Sequence, residues 1–503
     1  PGPVFVIGFP LAVSFVLQLL RRWTALAAWL AAIVAVFVGL IVSQSPLDEE
    51  IFFRGMGVVL GQPLVLLGRA LVIEPVDRLP LAFIFFTGAS LFILAWRLLP
   101  HSNFFPIGLT MMALLSATLL VEQVVYAALL MEMAVILAIF PLYEPAYHYE
   151  VTRASQEGAS DPEDNPDYDG EPTEEQPSAP RYGLRTQGGL RYMAYATLAL
   201  PGLMITQLLL ELFAIFPNDM GLLQSATVLL ALSFAILLGA VPFQSWLSTV
   251  ATDGSPPMVT FLFTVHLGTV WFMLLAYLET YSWLGEQALF VPLTTIVGLL
   301  MMVLGGALAA SQRRLGRLVG YATLVDNGAM FVALGTRQVA GVALTVMMLI
   351  ARPLALGLMT LGLDGLRRLG GGDDSADAVR GLAWRSPWRT MAFLVGGVAM
   401  AGFPLSLGFS ARWGLYRLMV EEDLFQAMLA LAGSAGVMMG VIAAIRTLLA
   451  PAPKRDSGKL AEDNVVLFLI LLLSCLTFGL GLFPQWVSHV ALRMAEEFTF
   501  FAP

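Results

Sequence analysis

Residues 386–417 read SPWRTMAFLVGGVAMAGFPLSLGFSARWGLYR, and this stretch decides the fold. It begins as an apolar run fit to enter a bilayer and is then interrupted by Gly402, Pro404 and Gly408, with Arg412 just past the interruption. Proline removes a backbone donor and glycine loosens the helix, so main-chain polar groups are freed where water is scarce. A bilayer tolerates that only where the segment is enclosed by protein or lines a wet cavity, as in the broken helices of ion-translocating proteins. An ionisable residue at such a break marks a candidate functional site. The plainer alternative is a kinked helix whose arginine snorkels to the surface.

The whole chain fits a membrane setting. Of its 503 residues 58% are hydrophobic and 13% charged, with a mean hydropathy of +0.79, where a soluble domain carries about 25% charged residues. The single cysteine, Cys475, lies in an apolar run, which excludes a disulfide framework and a cysteine metal site. The four histidines (His101, His148, His266 and His489) have no metal-ligand spacing. The opening PGPVFVIGFPLAVSFVLQLLRRW reads as a first helix, not a cleaved leader.

A span needs about 20 apolar residues. About fourteen segments qualify, near 3–20, 24–43, 79–98, 105–121, 123–142, 191–216, 220–240, 257–278, 289–310, 317–336, 338–363, 388–416, 425–450 and 464–488. The fourth and fifth could fuse, and the amphipathic 45–78 connection could form a surface hairpin. The expected fold is an all-α polytopic membrane protein. Its one membrane domain comprises the first five helices (1–149), a cytoplasmic insert (150–186) and the remaining nine (187–503).

The insert carries the charge imbalance. From Glu150 to Pro180 there are ten acidic residues and one basic, Arg153, which accounts for the chain's net −9. With its proline, serine and glycine it reads as a disordered loop, or as a docking segment for a basic partner. Basic residues favour the connections after odd-numbered spans, such as Arg21–Arg22, Arg313–Arg317 and Arg367–Arg389. The positive-inside rule then makes those connections cytoplasmic and puts both termini outside, in a prokaryotic plasma membrane. Only two lysines occur, Lys454 and Lys459, both in one polar loop.

A second interruption occurs in LLGAVPFQSWLSTVATDGSPP (237–257), where Gly239 and Pro242 end the seventh span and Pro256 opens the eighth. Breaks in the seventh and twelfth spans, five apart, point to an inverted repeat with ion pathways at the breaks. Between them lie isolated ionisable residues. Glu132 sits mid-span and needs a partner or water. Asp326 lies inward of Arg317. His266 suits a proton relay, although a lone histidine on an apolar face is as often a satisfied core residue. Arg352, followed by Pro353, demands a counter-charge, for which Glu132 and Asp326 are the candidates. Glu211 lies nearer the end of its span. Arginine stays protonated, so Arg352 and Arg412 can act only electrostatically, leaving transfer to Glu132, His266, Asp326, tyrosines such as Tyr321, and water. Together these groups suggest a polar axis across the bundle.

At these residues the chain resembles the antiporter-like, proton-conducting membrane subunits of respiratory complex I, above all the N-type quinone oxidoreductase subunit, which are related to Mrp-type antiporters. VPFQSWLSTVATDGSP (241–256), RRLGRLVGYATLVDNGAM (313–330) and AGFPLSLGFSARW (401–413) resemble the family's stretches at spans seven to eight, ten and twelve, and MEMAVILAI (131–139) falls at its span-five glutamate. The resemblance implies a non-redox subunit of a proton-translocating NADH–quinone oxidoreductase-like complex. It would bind no cofactor, beside partner membrane subunits and subunits carrying flavin, iron–sulfur clusters and quinone, and have no nucleic-acid partner. It also exposes departures. The span-seven lysine of the family corresponds to Leu237, the span-eight lysine falls at or near Gly268, the span-ten histidine is Asp326, and the span-twelve lysine is Arg412, so the lysine relay is degenerate. Two alternatives follow: a cation/proton antiporter or inorganic-carbon uptake subunit on the same fold, or a non-conducting spacer.

Overall fold

The computed structural model describes residues 1–47, 49–53, 56–66, 69–99, 102–121, 123–143, 187–451 and 463–498. The acidic insert lies outside the described residues.

Every expected span is helical. The helices are α1 (Val4–Leu20), α2 (Thr24–Gln44), α3 (Arg78–Ala95), α4 (Phe104–Leu120), α5 (Val124–Leu142) and α6 (Gln187–Ile215). Then come α7a (Met220–Leu237) and α7b (Ser245–Asp253), α8 (Pro256–Thr280), α9 (Phe290–Ala310), α10 (Leu315–Gly335) and α11 (Val339–Leu369). The series ends with α12a (Pro387–Met400) and α12b (Leu407–Glu422), α13 (Leu424–Leu449) and α14 (Asn464–Leu482). Among the described residues, eleven helices are long and apolar enough to cross a membrane. The fourth and fifth segments do not fuse: Val121 and Gln123 have extended backbones. The 45–78 connection holds two antiparallel hairpins, Glu50–Phe53 with Met56–Val59 and Leu64–Leu66 with Arg69–Leu71.

One boundary differs from expectation. The last span stops at Leu482, and Gln485–Glu497 forms a separate helix, α15. Its Val487, Ala491, Met494 and Ala495 are buried at helical spacing, and it packs on α11. Pro484 separates the two, because proline cannot continue the donor ladder.

The centre of the bundle is α8 and α10. In each, 94% of the most apolar window is enclosed by protein, against 17% for α6 and 22% for α14. The long outer helices therefore meet lipid or a neighbouring chain, while polar side chains on α8 and α10 must find partners inside. Close packing around them uses small residues. Gly306 on α9 lies against the backbone of Gly433 and Gly436 on α13, the arrangement by which membrane helices approach without side chains between them.

Both broken spans are confirmed. α7a ends at Leu237, and Gly239 takes a left-handed φ of 66° before Pro242. α12a ends at Met400; Gly402 (φ 73°), Pro404 and Leu405 (φ 75°) turn the chain, and α12b starts at Leu407 with Gly408 in its first turn. A residue with a side chain at positive φ, such as Leu405, is strained and persists only where its surroundings hold it.

At one end of the bundle, Arg367 closes the last turn of α11. Its Nη2 donates to the carbonyls of Ala251 (2.7 Å) and Thr252 (3.1 Å), and its Nη1 to Gly254 (2.9 Å), capping α7b. Its Nε and Nη2 also meet Asp374 Oδ2 at 3.0 and 2.7 Å. The same oxygen accepts from the Gly316 amide, so one staple joins α7b, α10 and α11.

Candidate functional site

Asp326 stands halfway along α10, where apart from the adjacent Asn327 its neighbours in sequence are apolar or small. A carboxylate there must be paired or neutralised. It receives two arginines from different helices. Arg352 of α11 donates from Nε to Oδ2 at 2.8 Å, and Arg412 of α12b from Nη2 to Oδ1 at 3.0 Å. Asp326 is 6% exposed, Arg352 2% and Arg412 1%. Arg412 therefore does not snorkel; the break in span twelve turns it inward. Of the two candidate counter-charges for Arg352, the one in contact is Asp326.

Neutral groups complete the cluster. Arg352 Nη2 donates to Asn327 Oδ1 (2.7 Å), and Arg412 Nη1 to Ser434 Oγ (2.9 Å), which also accepts from Tyr416 (2.6 Å). The remaining bonds satisfy backbone that the helix irregularities set free. Asn327 Nδ2 donates to the Leu238 carbonyl at the end of α7a (2.8 Å), and Arg412 Nη2 to the Met400 carbonyl at the end of α12a (2.9 Å). Arg352 Nη1 reaches Phe263 O (3.4 Å) in the π-helical turn Leu262–His266 of α8. Terminal helix carbonyls need such donors. The cluster thus joins spans seven, eight, ten, eleven, twelve and thirteen, and both breaks are anchored on it. A cavity of about 10 Å³ adjoins it, bordered by Asp326, Arg352, Arg412, Leu407, Gly408 and Thr477.

Glu132 and His266 are elsewhere. Glu132 is half-buried, its Oε1 accepting from Thr197 of α6 at 2.6 Å, while Oε2 has no hydrogen-bond partner among the described residues. His266 is 1% exposed, meets the ring of Tyr192 edge-on at 5.7 Å, and has no partner for Nδ1. Tyr192 also lies against Trp246 (5.2 Å). The Tyr192 hydroxyl, Trp246 Nε1 and Gln244 Oε1 are likewise buried without partners. Tyr321 is half-buried and packs on the apolar core. Glu211 is exposed and accepts from Gln207 at 2.9 Å. Asp326, Arg352 and Arg412 therefore form an ion-paired cluster on α10, α11 and α12b, whereas Glu132, His266, Tyr321 and Glu211 are not among its hydrogen-bond partners.

Residue-type reading missed Asn327, Ser434, Tyr416, Tyr192 and Trp246. Asn327 carried a signal, since it follows Asp326 inside an apolar run. The others are ordinary residues that only packing makes significant.

Two broken helices anchored on a buried charge cluster, in an all-helical membrane bundle, define the class of antiporter-like membrane proteins. The chain belongs to the NADH:quinone oxidoreductase/Mrp antiporter transmembrane family, whose pattern it matches over residues 181–440. It is 26% identical over 269 residues to NADH-quinone oxidoreductase subunit N of Acidithiobacillus ferrooxidans, covering 52% of this chain and 54% of that one. It is 27% identical over 348 residues to the subunit N of Ectopseudomonas mendocina, covering 61% and 67%. The match thus spans between about half and two thirds of these relatives. In fold it resembles a chain of the Mrp complex from Dietzia sp. DQ12-45-1b, with a TM-score of 0.74 and 14% identity over 100% of this chain and 98% of that one. A chain of respiratory complex I from Thermus thermophilus gives a TM-score of 0.60 at 16% identity, covering 95% and 98%.

Proposed function

We propose that this chain is an antiporter-like membrane subunit of a complex I- or Mrp-type energy-converting assembly, and that it serves there as a charge-locked scaffold instead of a proton conductor. The observation that carries the second half is Asp326 clamped by Arg352 and Arg412. Each oxygen of the carboxylate is taken by a guanidinium donor, and arginine does not release its proton. Protons arriving at this cluster therefore have no group to carry them onward. The departures from the family's lysine pattern at Leu237, Gly268 and Arg412 support the same reading. Any flavin, iron–sulfur or quinone chemistry belongs to partner subunits, and both termini lie on the outer face.

A second reading has its own observation. Glu132 Oε2, the Tyr192 hydroxyl, Gln244 Oε1, Trp246 Nε1 and His266 Nδ1 have no hydrogen-bond partner among the described residues. Buried polar atoms are nearly always hydrogen-bonded, so water in this region would satisfy them. Glu132 and His266 could exchange protons through it with one face of the membrane. On the first reading that exchange stops short of the Asp326 cluster.

Two measurements test these proposals. Gentle purification of the tagged chain from native membranes is expected to bring down membrane subunits of this family, together with hydrophilic redox subunits if the assembly is of the complex I type. Recovery with antiporter subunits alone makes it Mrp-type, and recovery with a soluble zinc protein makes it an inorganic-carbon transporter. For conduction, the assembly carrying Glu132→Gln is expected to retain the proton flux of the wild type in proteoliposomes. A fall of half or more at equal subunit content would overturn the scaffold reading.

A further inference from the structure

The Asp326 cluster does not balance its charge. Two guanidiniums face one carboxylate, and Asp326 is the only carboxylate within 4 Å of either among the described residues. The other partners, Asn327, Ser434, the Met330 sulfur and the carbonyls of Met400 and Phe263, are neutral. All three ionised side chains are more than nine-tenths buried. A net charge of +1 is therefore held in the interior of a membrane bundle, where an uncompensated ion is strongly disfavoured.

The cavity beside the cluster lies where a compensating charge would go. It touches Asp326, Arg352 and Arg412 and is bordered by Leu407 and Gly408, the first residues of α12b. The first amides of a helix have no intrahelical acceptor and form its positive end; in α12b the Ser406 hydroxyl accepts from the Phe409 amide at 3.3 Å, so the Leu407 and Gly408 amides are the ones that border the cavity. Anions collect at such ends, and here two arginines flank it. The opposing helix end, that of α12a, already spends the Met400 carbonyl on Arg412. Its volume of about 10 Å³ is that of a single water-sized particle. Polyatomic anions such as phosphate or carboxylates are excluded. Met348, Leu354 and Leu407 on the wall are flexible apolar side chains, able to yield the few tenths of an ångström that a halide requires beyond water.

We propose that this cavity is a binding site for one halide ion, with chloride the physiological occupant, held by Arg352, Arg412 and the amino end of α12b. The ion completes a neutral set of two cations and two anions. This inference goes beyond the scaffold reading and stands on the charge count and cavity alone, whichever assembly contains the chain.

The test is equilibrium dialysis of the purified tagged assembly against radiolabelled chloride in sodium gluconate, with bromide as competitor. Because partner chains could also bind chloride, the quantity read is the difference between wild type and variants. Arg412→Gln removes the excess charge and is expected to lose one saturable, bromide-displaceable site per copy of this chain. Arg412→Lys keeps the charge and is expected to retain it, with affinity weakened by tenfold or less. Arg352→Gln neutralises the cluster from the other helix, is expected to match Arg412→Gln, and replaces it should that variant fail to assemble. An unchanged chloride stoichiometry in both glutamine variants overturns the proposal, as does the absence of saturable binding in the wild type.

Discussion

Replacing Asp326 by asparagine is expected to destabilise the folded chain by about 3–5 kcal/mol, the range for removing one member of a buried ion pair. The side chain keeps its shape, so nothing is lost in packing, but Arg352 and Arg412 are left facing each other without a carboxylate. The penalty arises from stranded charge, and the right control removes the charges altogether. The triple variant Asp326→Leu, Arg352→Met, Arg412→Met is expected to recover most of the stability, since an apolar set of similar volume often matches or exceeds a buried ion cluster. Thermal unfolding in detergent, followed by the loss of monodisperse protein, reads both. An Asp326→Asn protein as stable as wild type would mean that water reaches the cluster and screens it, and the scaffold reading would fall with that result.

Gly402→Ala is expected to cost about 3 kcal/mol, from two sources of comparable size. The backbone at Gly402 has φ 73°, where an L-residue is strained. A Cβ at this position would also collide with the side chain of Arg412. The second effect moves the guanidinium away from Asp326, so this substitution outside the ion cluster is expected to weaken the cluster itself. The thermal unfolding assay, repeated on Gly402→Ala and on the double variant with Arg412→Gln, separates the two. If the Arg412 contact matters, the double variant loses less than the sum of the single losses. Strict additivity would reduce the glycine's role to the turn alone.

The spans and both breaks were legible in the sequence because bilayer insertion depends on long apolar runs, and proline and glycine interrupt them visibly. What hydropathy could not register was the end of the last span. The run FGLGLFPQWVS (478–488) stays apolar enough to read as the end of that span, while the burial of Val487, Ala491 and Met494 follows a surface-helix period that emerges only beyond Pro484. The charged residues were visible singly, since each is conspicuous against an apolar background. Their grouping was not. Which face of α12b Arg412 occupies depends on how the turn at Gly402 to Ser406 aims the second half-helix, and residue spacing carries no information about that angle. For the same reason Glu132 and Asp326 looked interchangeable as partners for Arg352, although one pairs with it and the other bonds Thr197. The neutral members, Asn327 and Ser434, acquire their roles only through contacts across helices.

Helix α11 has 31 residues, a rod of about 46 Å at 1.5 Å per residue. That exceeds the roughly 30 Å hydrocarbon layer, so the helix protrudes or tilts. It carries Arg352 near its middle, bonded to Asp326 of α10, and Arg367 near one end, bonded to the carbonyls of α7b and to Asp374. Between the two fastenings the rod has one soft joint. Pro353 supplies no amide to the carbonyl one turn before it, so bending there is easier than elsewhere along the rod. A displacement of the α7b–α10 staple, from a neighbouring subunit pressing on that end of the bundle, would therefore be transmitted along α11 as a flexure directly beside the guanidinium of Arg352.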